Sequence, residues 1–143
     1  MRLLKENGYL LIVVTNQSGI GRGIFNEGDM HAIHEKIQEE VGSLIDAFYF
    51  CPHLPSDGCK CRKPGLGMIE AAMDDFDIDL KNSWMVGDKK IDIETAELAK
   101  VRSCLVTTGY GAHHQHLLES EPNVIVESFG KAVDAIVATL QAN

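Results

Sequence analysis

The sequence predicts an α/β fold in which helices cover both faces of a parallel sheet. Short, almost fully apolar runs at residues 9–14 and 84–86 have the length and composition of strands buried on both faces. Stretches between such runs carry apolar residues at intervals of three and four, as one face of a helix does. Strands and helices that alternate along a chain usually build a parallel sheet, so the order of the elements indicates this class.

Each further element has its own signal in the sequence. Residues 2–7 resemble the end of a helix that stops at Gly8, and Asn26 and Ser128 are of the types that cap helix N-termini. Further strands are predicted at 45–50, 104–107 and 124–126, and further helices at 27–44, 68–76, 92–100 and 129–140. Core-facing positions are predicted from helical spacing: Met30, Ile33, Ile37, Val41, Leu44, Met68, Ile69, Ala72, Met73, Phe76, Thr95, Leu98, Ala99, Phe129, Val133, Ile136, Val137 and Leu140.

The histidines outside the cysteine-rich segment are assigned no function. His31 and His34 lie on a predicted helix, where most histidines are surface residues. Residues 109–116 are predicted to form a loop that carries His113, His114 and His116. These three could bind a metal, but the loop spacing and the lack of a carboxylate among them argue against it.

Composition restricts the classes of function. The 143 residues suit one domain, residues 1–143, with a real core, and a net charge of −8 argues against binding nucleic acid or an anionic membrane. No apolar run approaches the roughly 20 residues of a membrane span, and the N-terminus lacks the apolar core of a signal peptide. The cysteines are clustered rather than spread in pairs, so we expect a cytoplasmic protein.

Three cysteines and one histidine between positions 51 and 61 form the most specific motif. Three thiols and one imidazole make a complete ligand set for a tetrahedral zinc ion. A turn at residues 56–58 can fold the second pair of ligands back onto the first. We therefore predict a structural zinc loop over residues 51–61, whose ligands are Cys51, His53, Cys59 and Cys61. Cys104, which stands apart, is expected to be a small buried residue.

Polar residues follow two predicted strands and the zinc loop. They are Thr15, Asn16, Gln17 and Ser18; Arg62 and Lys63; and Asp88 and Lys89. Ligand sites of parallel sheets lie beyond the carboxyl ends of strands, so the three groups are expected to converge on a bound phosphate. Asp88 would be a ligand of Mg²⁺, and Asp92 would support it. For residues 15–19 taken alone, an ordinary polar turn is an equally good interpretation.

Residues 13–23, 51–64 and 85–92 together resemble the haloacid-dehalogenase (HAD) superfamily. Within it they are most similar to the D-glycero-D-manno-heptose-1,7-bisphosphate 7-phosphatase and histidinol-phosphatase subfamily. The resemblance implies a Mg²⁺-dependent phosphatase with a Rossmann-like parallel sheet and a structural zinc. It also implies that Thr15 and Lys63 contact the transferring phosphoryl group and that Asp88 binds Mg²⁺. Residues that would bind or select the substrate are Asn16, Gln17, Ser18, Arg62 and Lys89.

One family motif does not occur in the sequence. Members of the superfamily begin with a strand that ends in Asp-x-Asp-Gly-Thr, whose aspartates are the nucleophile and the general acid/base. No such motif occurs in the 143 residues, which start after the place where it belongs. We therefore predict an N-terminally truncated form that lacks the first, central strand, with Met1 an internal methionine or a misassigned start. Such a chain is expected to be inactive by the family mechanism.

Three functions are compatible with these features. The leading prediction is hydrolysis of a phosphate ester of a small sugar, preferably D-glycero-D-manno-heptose 1,7-bisphosphate, in carbohydrate metabolism. Histidinol phosphate is the alternative substrate. A function of another class is a non-catalytic, zinc-stabilised remnant that binds a phosphorylated ligand or a partner protein. A nucleic-acid-binding zinc ribbon is disfavoured because the chain is acidic and has one four-ligand set. The oligomeric state is left open.

Overall fold

Parallel strands alternate with helices in the computed structural model, which describes residues 1–142. The strands are β1 (Ile12–Asn16), β2 (Ala47–Cys51), β3 (Trp84–Gly87), β4 (Arg102–Val106) and β5 (Val124–Val126). The helices are α1 (Arg2–Glu6), α2 (Ser18–Gly21), α3 (Glu27–Glu40), α4 (Gly67–Asp75), α5 (Lys90–Ala99), α6 (Gly111–His114) and α7 (Phe129–Gln141). The predicted α/β class is confirmed.

The described chain divides into two compact units, one over Met1–Phe76 and one from Asp77 onward. The first contains a two-stranded sheet, β1-β2, and the second a three-stranded sheet, β3-β4-β5. The prediction of a single domain over residues 1–143 stays a prediction, as does the missing central strand. Among the described residues, no helix is both long enough and apolar enough to cross a membrane.

The first sheet brings the end of β1 beside the start of the cysteine-rich segment. The parallel register runs from Ile12 opposite Ala47 to Asn16 opposite Cys51. Strand β1 begins and ends later than the apolar run at 9–14 predicts. Its bounds are set by backbone hydrogen bonds to β2, which do not depend on side-chain hydrophobicity. Thr15 and Asn16 therefore belong to the strand itself, and helix α4 packs against both strands.

Helix α3 begins as predicted, but it buries only part of the predicted face. The Asn26 side chain accepts from Asp29 N at 3.0 Å, while Asp29 accepts from Asn26 N at 2.9 Å, so the two residues form a capping box. Met30 is buried as predicted, but Ile33 is 58% exposed and Ile37 39% exposed, so the predicted inward stripe is wrong at those two positions. His34, which the sequence placed at the surface, is buried. The His34 ring stacks on Phe48 of β2 at 4.3 Å between centroids. Aromatic packing decided which face is buried.

Helices α5 and α7 pack against the second sheet. Strand β4 lies between β3 and β5, with Gly87 opposite Leu105 and Val106 opposite Val126. Cys104 and Thr95 are fully buried, as predicted. Val133 and Ile136 of α7 are buried too. Besides Ile33 and Ile37, the predicted core positions that the structure exposes are Leu98, Met73, Phe129 and Leu140.

The segment that was predicted as a loop at 109–116 contains a short helix. Gly109 has a φ of +59°, and α6 follows from Gly111 to His114. A single-turn helix of this kind is too short to produce a periodic hydrophobic pattern, so the sequence gives no sign of it. The turn brings His114 to the N-terminus of α5, where its Nδ1 accepts from Lys90 N at 3.0 Å.

Candidate functional site

The four predicted zinc ligands come together at the carboxyl end of β2. Cys51 is the last residue of the strand, and the ligand atoms of Cys51, His53, Cys59 and Cys61 all lie within 4.8 Å of one another. Cys51 Sγ is 3.0 Å from Cys61 Sγ and 3.6 Å from Cys59 Sγ. His53 presents Nδ1, which lies 3.2 Å from Cys61 Sγ.

This geometry fits a zinc ion. Zn–S bonds of about 2.3 Å in a tetrahedron separate neighbouring sulfurs by about 3.8 Å, near the 3.6 Å between Cys51 Sγ and Cys59 Sγ. The separations from Cys61 Sγ, 3.0 Å to Cys51 Sγ and 3.2 Å to His53 Nδ1, are shorter and would widen when an ion binds. Three sulfurs and one imidazole nitrogen are also the donor set that zinc prefers over Mg²⁺ or Ca²⁺. Among residues 1–142, this is the one group of histidine, cysteine and acidic side chains whose spacing suits a metal.

A tight turn produces the cluster. Pro55–Asp57 form one turn of 3₁₀ helix, and Leu54 N donates to Asp57 Oδ2 at 2.8 Å. Gly58 follows with a φ of +64°, a backbone conformation that glycine adopts without strain. The turn sends Cys59 and Cys61 back toward Cys51, as the sequence predicted.

The thiols of the cluster differ in acidity. Burial raises the pKa of the Cys51 thiol to about 12, and its hydrogen bonds with Cys61 and Cys59 contribute. Burial also acts to raise the pKa of Cys59, but hydrogen bonds from the Arg62 backbone and the neighbouring thiols outweigh it and lower that pKa to about 7. A bound metal must therefore displace the Cys51 proton, so metal affinity should rise with pH.

Arg62 and Lys63 follow the last ligand directly and are half-buried. Nη1 of Arg62 is buried and has no hydrogen-bond partner among the described residues. An unsatisfied buried guanidinium N–H costs free energy, which an anionic ligand would recover. The backbone is compact here, because Gly65 N donates to Arg62 O at 2.7 Å and Gly67 N donates to Lys60 O at 3.0 Å.

The polar residues at the end of β1 contact the same segment. Asn16 Oδ1 accepts from Lys63 N at 2.9 Å, and Asn16 Nδ2 donates to Lys63 O at 3.3 Å. Gln17 Nε2 donates to Thr15 Oγ1 at 3.1 Å, and Gln17 N donates to Cys51 O at 2.7 Å. Ser18 begins helix α2. The sequence predicted that Asn16 and Lys63 belong to one site. The structure shows in addition that they are in direct contact.

Asp88 and Lys89 lie in the second unit, between the end of β3 and the start of α5. Asp88 Oδ2 accepts from Tyr110 N at 3.0 Å. Lys89 Nζ lies over the Tyr110 ring, 4.4 Å from its centroid, where a cation–π interaction is favourable. Tyr110 thus contacts both Asp88 and Lys89. Sequence reasoning missed Tyr110, although the glycines on either side of it, Gly109 and Gly111, are typical of a tight turn.

Asp92 supports this segment through the backbone. It is 5% exposed, and its Oδ2 accepts from Lys89 N at 3.1 Å, which caps α5. A side chain at Gly87 would collide with Asp92, so glycine permits their close approach. The sequence predicted a supporting role for Asp92, and the cap is a contact through which such support would act.

Known proteins resemble the chain over most of its length. A model of the HAD-hydrolase-like family matches residues 60–132. The D-glycero-D-manno-heptose-1,7-bisphosphate 7-phosphatase of Thermosynechococcus vestitus is 37% identical, over 98% of this chain and 80% of that protein. The chain belongs to the HAD-hydrolase-like family. The resemblance to this superfamily predicted from the motifs is confirmed.

Two further relatives show how much of the family fold the chain covers. The D-glycero-beta-D-manno-heptose-1,7-bisphosphate 7-phosphatase of Haemophilus ducreyi is 42% identical over 76% of this chain, and the chain covers 66% of that protein, less than two thirds. A crystal structure of D,D-heptose 1,7-bisphosphate phosphatase from B. bronchiseptica, complexed with magnesium and phosphate, is 31% identical, with a TM-score of 0.87. That match covers 95% of this chain and 78% of the crystallised protein.

Proposed function

We propose that this member of the HAD-hydrolase-like family provides the phosphate-binding and metal-binding residues of a phosphatase that hydrolyses a phosphate monoester of a small sugar. The proposed substrate is D-glycero-D-manno-heptose 1,7-bisphosphate, cleaved at the 7-phosphate. The observation that carries this proposal is the likeness, over 95% of the chain, to a heptose bisphosphate phosphatase solved with magnesium and phosphate. Relatives with this activity favour the heptose over histidinol phosphate.

The residues of the first unit would bind the phosphoryl group. Thr15 would donate to it from the end of β1, and Lys63 would neutralise its charge. Gln17 and Ser18 would line the substrate site together with Asn16. Arg62 would select the substrate, and its buried Nη1, which no described residue satisfies, supports an anion as its partner. Phosphoryl transfer depends on this kind of positioning and charge neutralisation.

In the second unit, Asp88 would hold Mg²⁺ and Lys89 would contact substrate. Tyr110 N engages one oxygen of the Asp88 carboxylate, and the other accepts no hydrogen bond from the described residues. A single carboxylate oxygen suits Mg²⁺, which keeps several waters and takes further ligands from phosphate. When bound, Mg²⁺ would neutralise charge on the phosphoryl group. Asp92, through Lys89 N, would fix the backbone that presents both side chains.

Zinc would be structural in this protein. The Cys51, His53, Cys59 and Cys61 cluster supplies four protein ligands and therefore leaves no open position for substrate. Its proposed role is to fix the backbone from which Arg62 and Lys63 project. We propose a cytoplasmic setting in carbohydrate metabolism, since thiols reserved for a metal are typical of reducing compartments. The proposed partner is a small phosphorylated metabolite and no nucleic acid.

A second candidate function has an observation of its own. The 143 residues contain no Asp-x-Asp-Gly-Thr, so the nucleophile of the family mechanism is not among them. On this basis the chain alone would bind a phosphorylated ligand and would not hydrolyse it. The residues proposed to contact phosphate would serve both functions equally well.

Binding and hydrolysis assays on the purified chain separate these functions. Phosphate binding is measured by calorimetry with zinc and Mg²⁺ present, and phosphate release is measured with the heptose bisphosphate and with histidinol phosphate. We expect binding without release from the 143 residues, and release once a strand carrying Asp-x-Asp-Gly-Thr is joined to the N-terminus. Release from the chain alone, abolished by Asp88→Asn, would overturn the expected inactivity. A chain that holds zinc but binds no phosphate, and stays inactive when extended, would overturn the phosphatase proposal.

A further inference from the structure

The side chain of Asn16 forms a pair of hydrogen bonds with one distant residue. Its carbonyl oxygen accepts from Lys63 N at 2.9 Å and its amide nitrogen donates to Lys63 O at 3.3 Å, across 47 positions of sequence. Both polar atoms of the Asn16 side chain are therefore engaged by backbone. A second ligand at this amide would have to share atoms that already have partners.

The backbone of Asn16 is fixed as well. Asn16 pairs with Cys51 in the parallel register of β1 and β2, and Cys51 is one of the four metal ligands. Asn16 is thus paired with β2, the strand that leads into the metal loop. Its side chain contacts Lys63, which lies two positions after the last metal ligand, Cys61. Its strand position and its side-chain contacts together determine where the loop ends.

Backbone hydrogen bonds within residues 60–67 shape the turn that contains Lys63. Gly67 N and Gly65 N bond to Lys60 O and Arg62 O, so they shape residues 60–67 from within. A Cβ atom at Gly65 would lie 2.5 Å from Lys60 O, which shows how tightly this turn closes. The Asn16 amide is a contact from outside the turn, and it engages the N–H and the C=O of Lys63 at once.

Asparagine is well suited to this contact. It carries a donor and an acceptor on one planar group, as a peptide unit does. Aspartate would keep the acceptor for Lys63 N but would place a carboxylate oxygen against Lys63 O, where no proton is available. Alanine would remove both hydrogen bonds that Asn16 makes with the Lys63 backbone.

We propose that Asn16 is a positioning residue for Lys63 and that it acts on the phosphoryl group only through Lys63. This inference rests on the proposed function, in which Lys63 neutralises phosphoryl charge. It differs from the role that the family resemblance implies for Asn16, which is direct contact with substrate. The two roles predict different results when Asn16 and Lys63 are substituted together and phosphate binding is measured.

A double-mutant cycle tests the inference. Inorganic phosphate binding to the zinc-loaded chain, with Mg²⁺, is measured by calorimetry for wild type, Asn16→Ala, Lys63→Ala and the double variant. We expect Asn16→Ala to weaken phosphate binding about tenfold, equivalent to about 1.4 kcal/mol. Lys63→Ala keeps the backbone that Asn16 contacts, so in that background we expect Asn16→Ala to have no further effect. An equal tenfold loss in both backgrounds would show direct contact and overturn the inference.

Amide hydrogen exchange provides a readout that needs no ligand. We expect Asn16→Ala to speed exchange at Lys63 N about tenfold, and Asn16→Asp to preserve its protection, because aspartate retains the acceptor. The absorption spectrum of Co²⁺ bound in place of zinc reports on the geometry of the four metal ligands. We expect the same spectrum in wild type, Asn16→Ala and Asn16→Asp, because Asn16 is not a ligand. Unchanged exchange at Lys63 N in Asn16→Ala overturns the inference, whatever phosphate does. Phosphate that fails to bind the wild type counts against the proposed function, and the exchange rates then decide this inference separately.

Discussion

At the scale of single residues, the metal loop depends on the side chains of its four ligands, Cys51, His53, Cys59 and Cys61. Cys51 is fully buried, and its thiol is surrounded by the sulfurs of Cys61 and Cys59. Burial keeps that thiol protonated at neutral pH when no metal is bound, since its pKa is about 12. A zinc ion would bond buried Cys51 to the half-buried Cys59 and Cys61 and to exposed His53, which ties metal binding to the stability of the loop.

Replacement of Cys59 by serine should release the metal. We expect a zinc content near one ion per chain in the wild type, and well below that in Cys59→Ser, because hydroxyl oxygen is a poor ligand for zinc. Stability should fall by less than the roughly 10 kcal/mol found for isolated zinc fingers, because the strands remain paired. Cys104→Ala is the matched control, since Cys104 is buried in β4 outside the cluster. Equal zinc contents in the two variants would refute the ligand set.

Gly109 is the second residue whose replacement has a defined consequence. Its φ is +59°, and a side chain there would collide with Asp88 Oδ2. Gly109→Ala should lose about 1–2 kcal/mol to backbone strain and should also weaken Mn²⁺ binding about tenfold by displacing Asp88. Gly42→Ala is the control, because Gly42 has a φ of +68° and open space around it. Mn²⁺ titrations followed by electron paramagnetic resonance separate the two effects, and equal affinities in both variants would contradict the role of Gly109.

At the scale of elements, α3 shows how packing chooses a helix face. The sequence offers an apolar stripe through Met30, Ile33 and Ile37, but the structure buries only Met30 of these three and adds His34. Phe48 and Phe50 on β2 present aromatic rings, and His34 and His31 pack against them. Burial lowers the pKa of His34, and the neighbouring His31 lowers it further.

The buried His34 predicts a dependence of stability on pH. The unfolded chain takes up a proton at His34 below its ordinary pKa of about 6.5, whereas the folded chain resists protonation until a lower pH. The free energy of unfolding should therefore fall as the pH drops below about 6.5, by about 1.4 kcal/mol for each unit of difference between the two pKa values. His34→Leu should weaken this dependence, and exposed His116→Gln should leave it unchanged. Denaturant unfolding at pH 8 and pH 5 measures both, and an unaltered profile in His34→Leu would exclude His34 as the cause.

At the scale of the whole molecule, the proposed site residues are divided between two compact units. The first contains the four metal ligands together with Thr15, Asn16, Arg62 and Lys63. The second contains Asp88 and Lys89 with the Tyr110 contacts. Each group lies at the carboxyl end of a strand in its own parallel sheet, which is where α/β proteins place their ligands.

Metal removal should therefore act first on the unit that holds the ligands. We expect chelation of zinc to increase amide hydrogen exchange in β2 and at residues 51–67 before it affects β3 and β4. The reason is that the cluster links Cys51 at the end of β2 to Cys59 and Cys61 in the same unit. Exchange measured by mass spectrometry on peptides from both units tests this. An increase that begins in β4 would contradict it.

Much of the fold was predictable because its signals are local. Buried strands are short apolar runs, and Asn26 and Ser128 cap their helices as their side-chain chemistry requires. The exposed Leu98, Met73 and Leu140 were predicted wrongly, since periodicity identifies an apolar face but not the surface that covers it. Helix α6 was missed because a four-residue helix has too few positions to show a period.

The sequence by itself determined the metal loop, its turn and the order of the strands and longer helices, but not the four-residue helices α2 and α6. These features depend on residues that are close along the chain, so residue type and spacing suffice. The tertiary structure alone decided that Asn16 holds Lys63, that Tyr110 contacts both Asp88 and Lys89, and that His34 is buried on Phe48. Those contacts join residues far apart in sequence. Strand register and packing decide which residues meet, and neither can be predicted from a local sequence pattern.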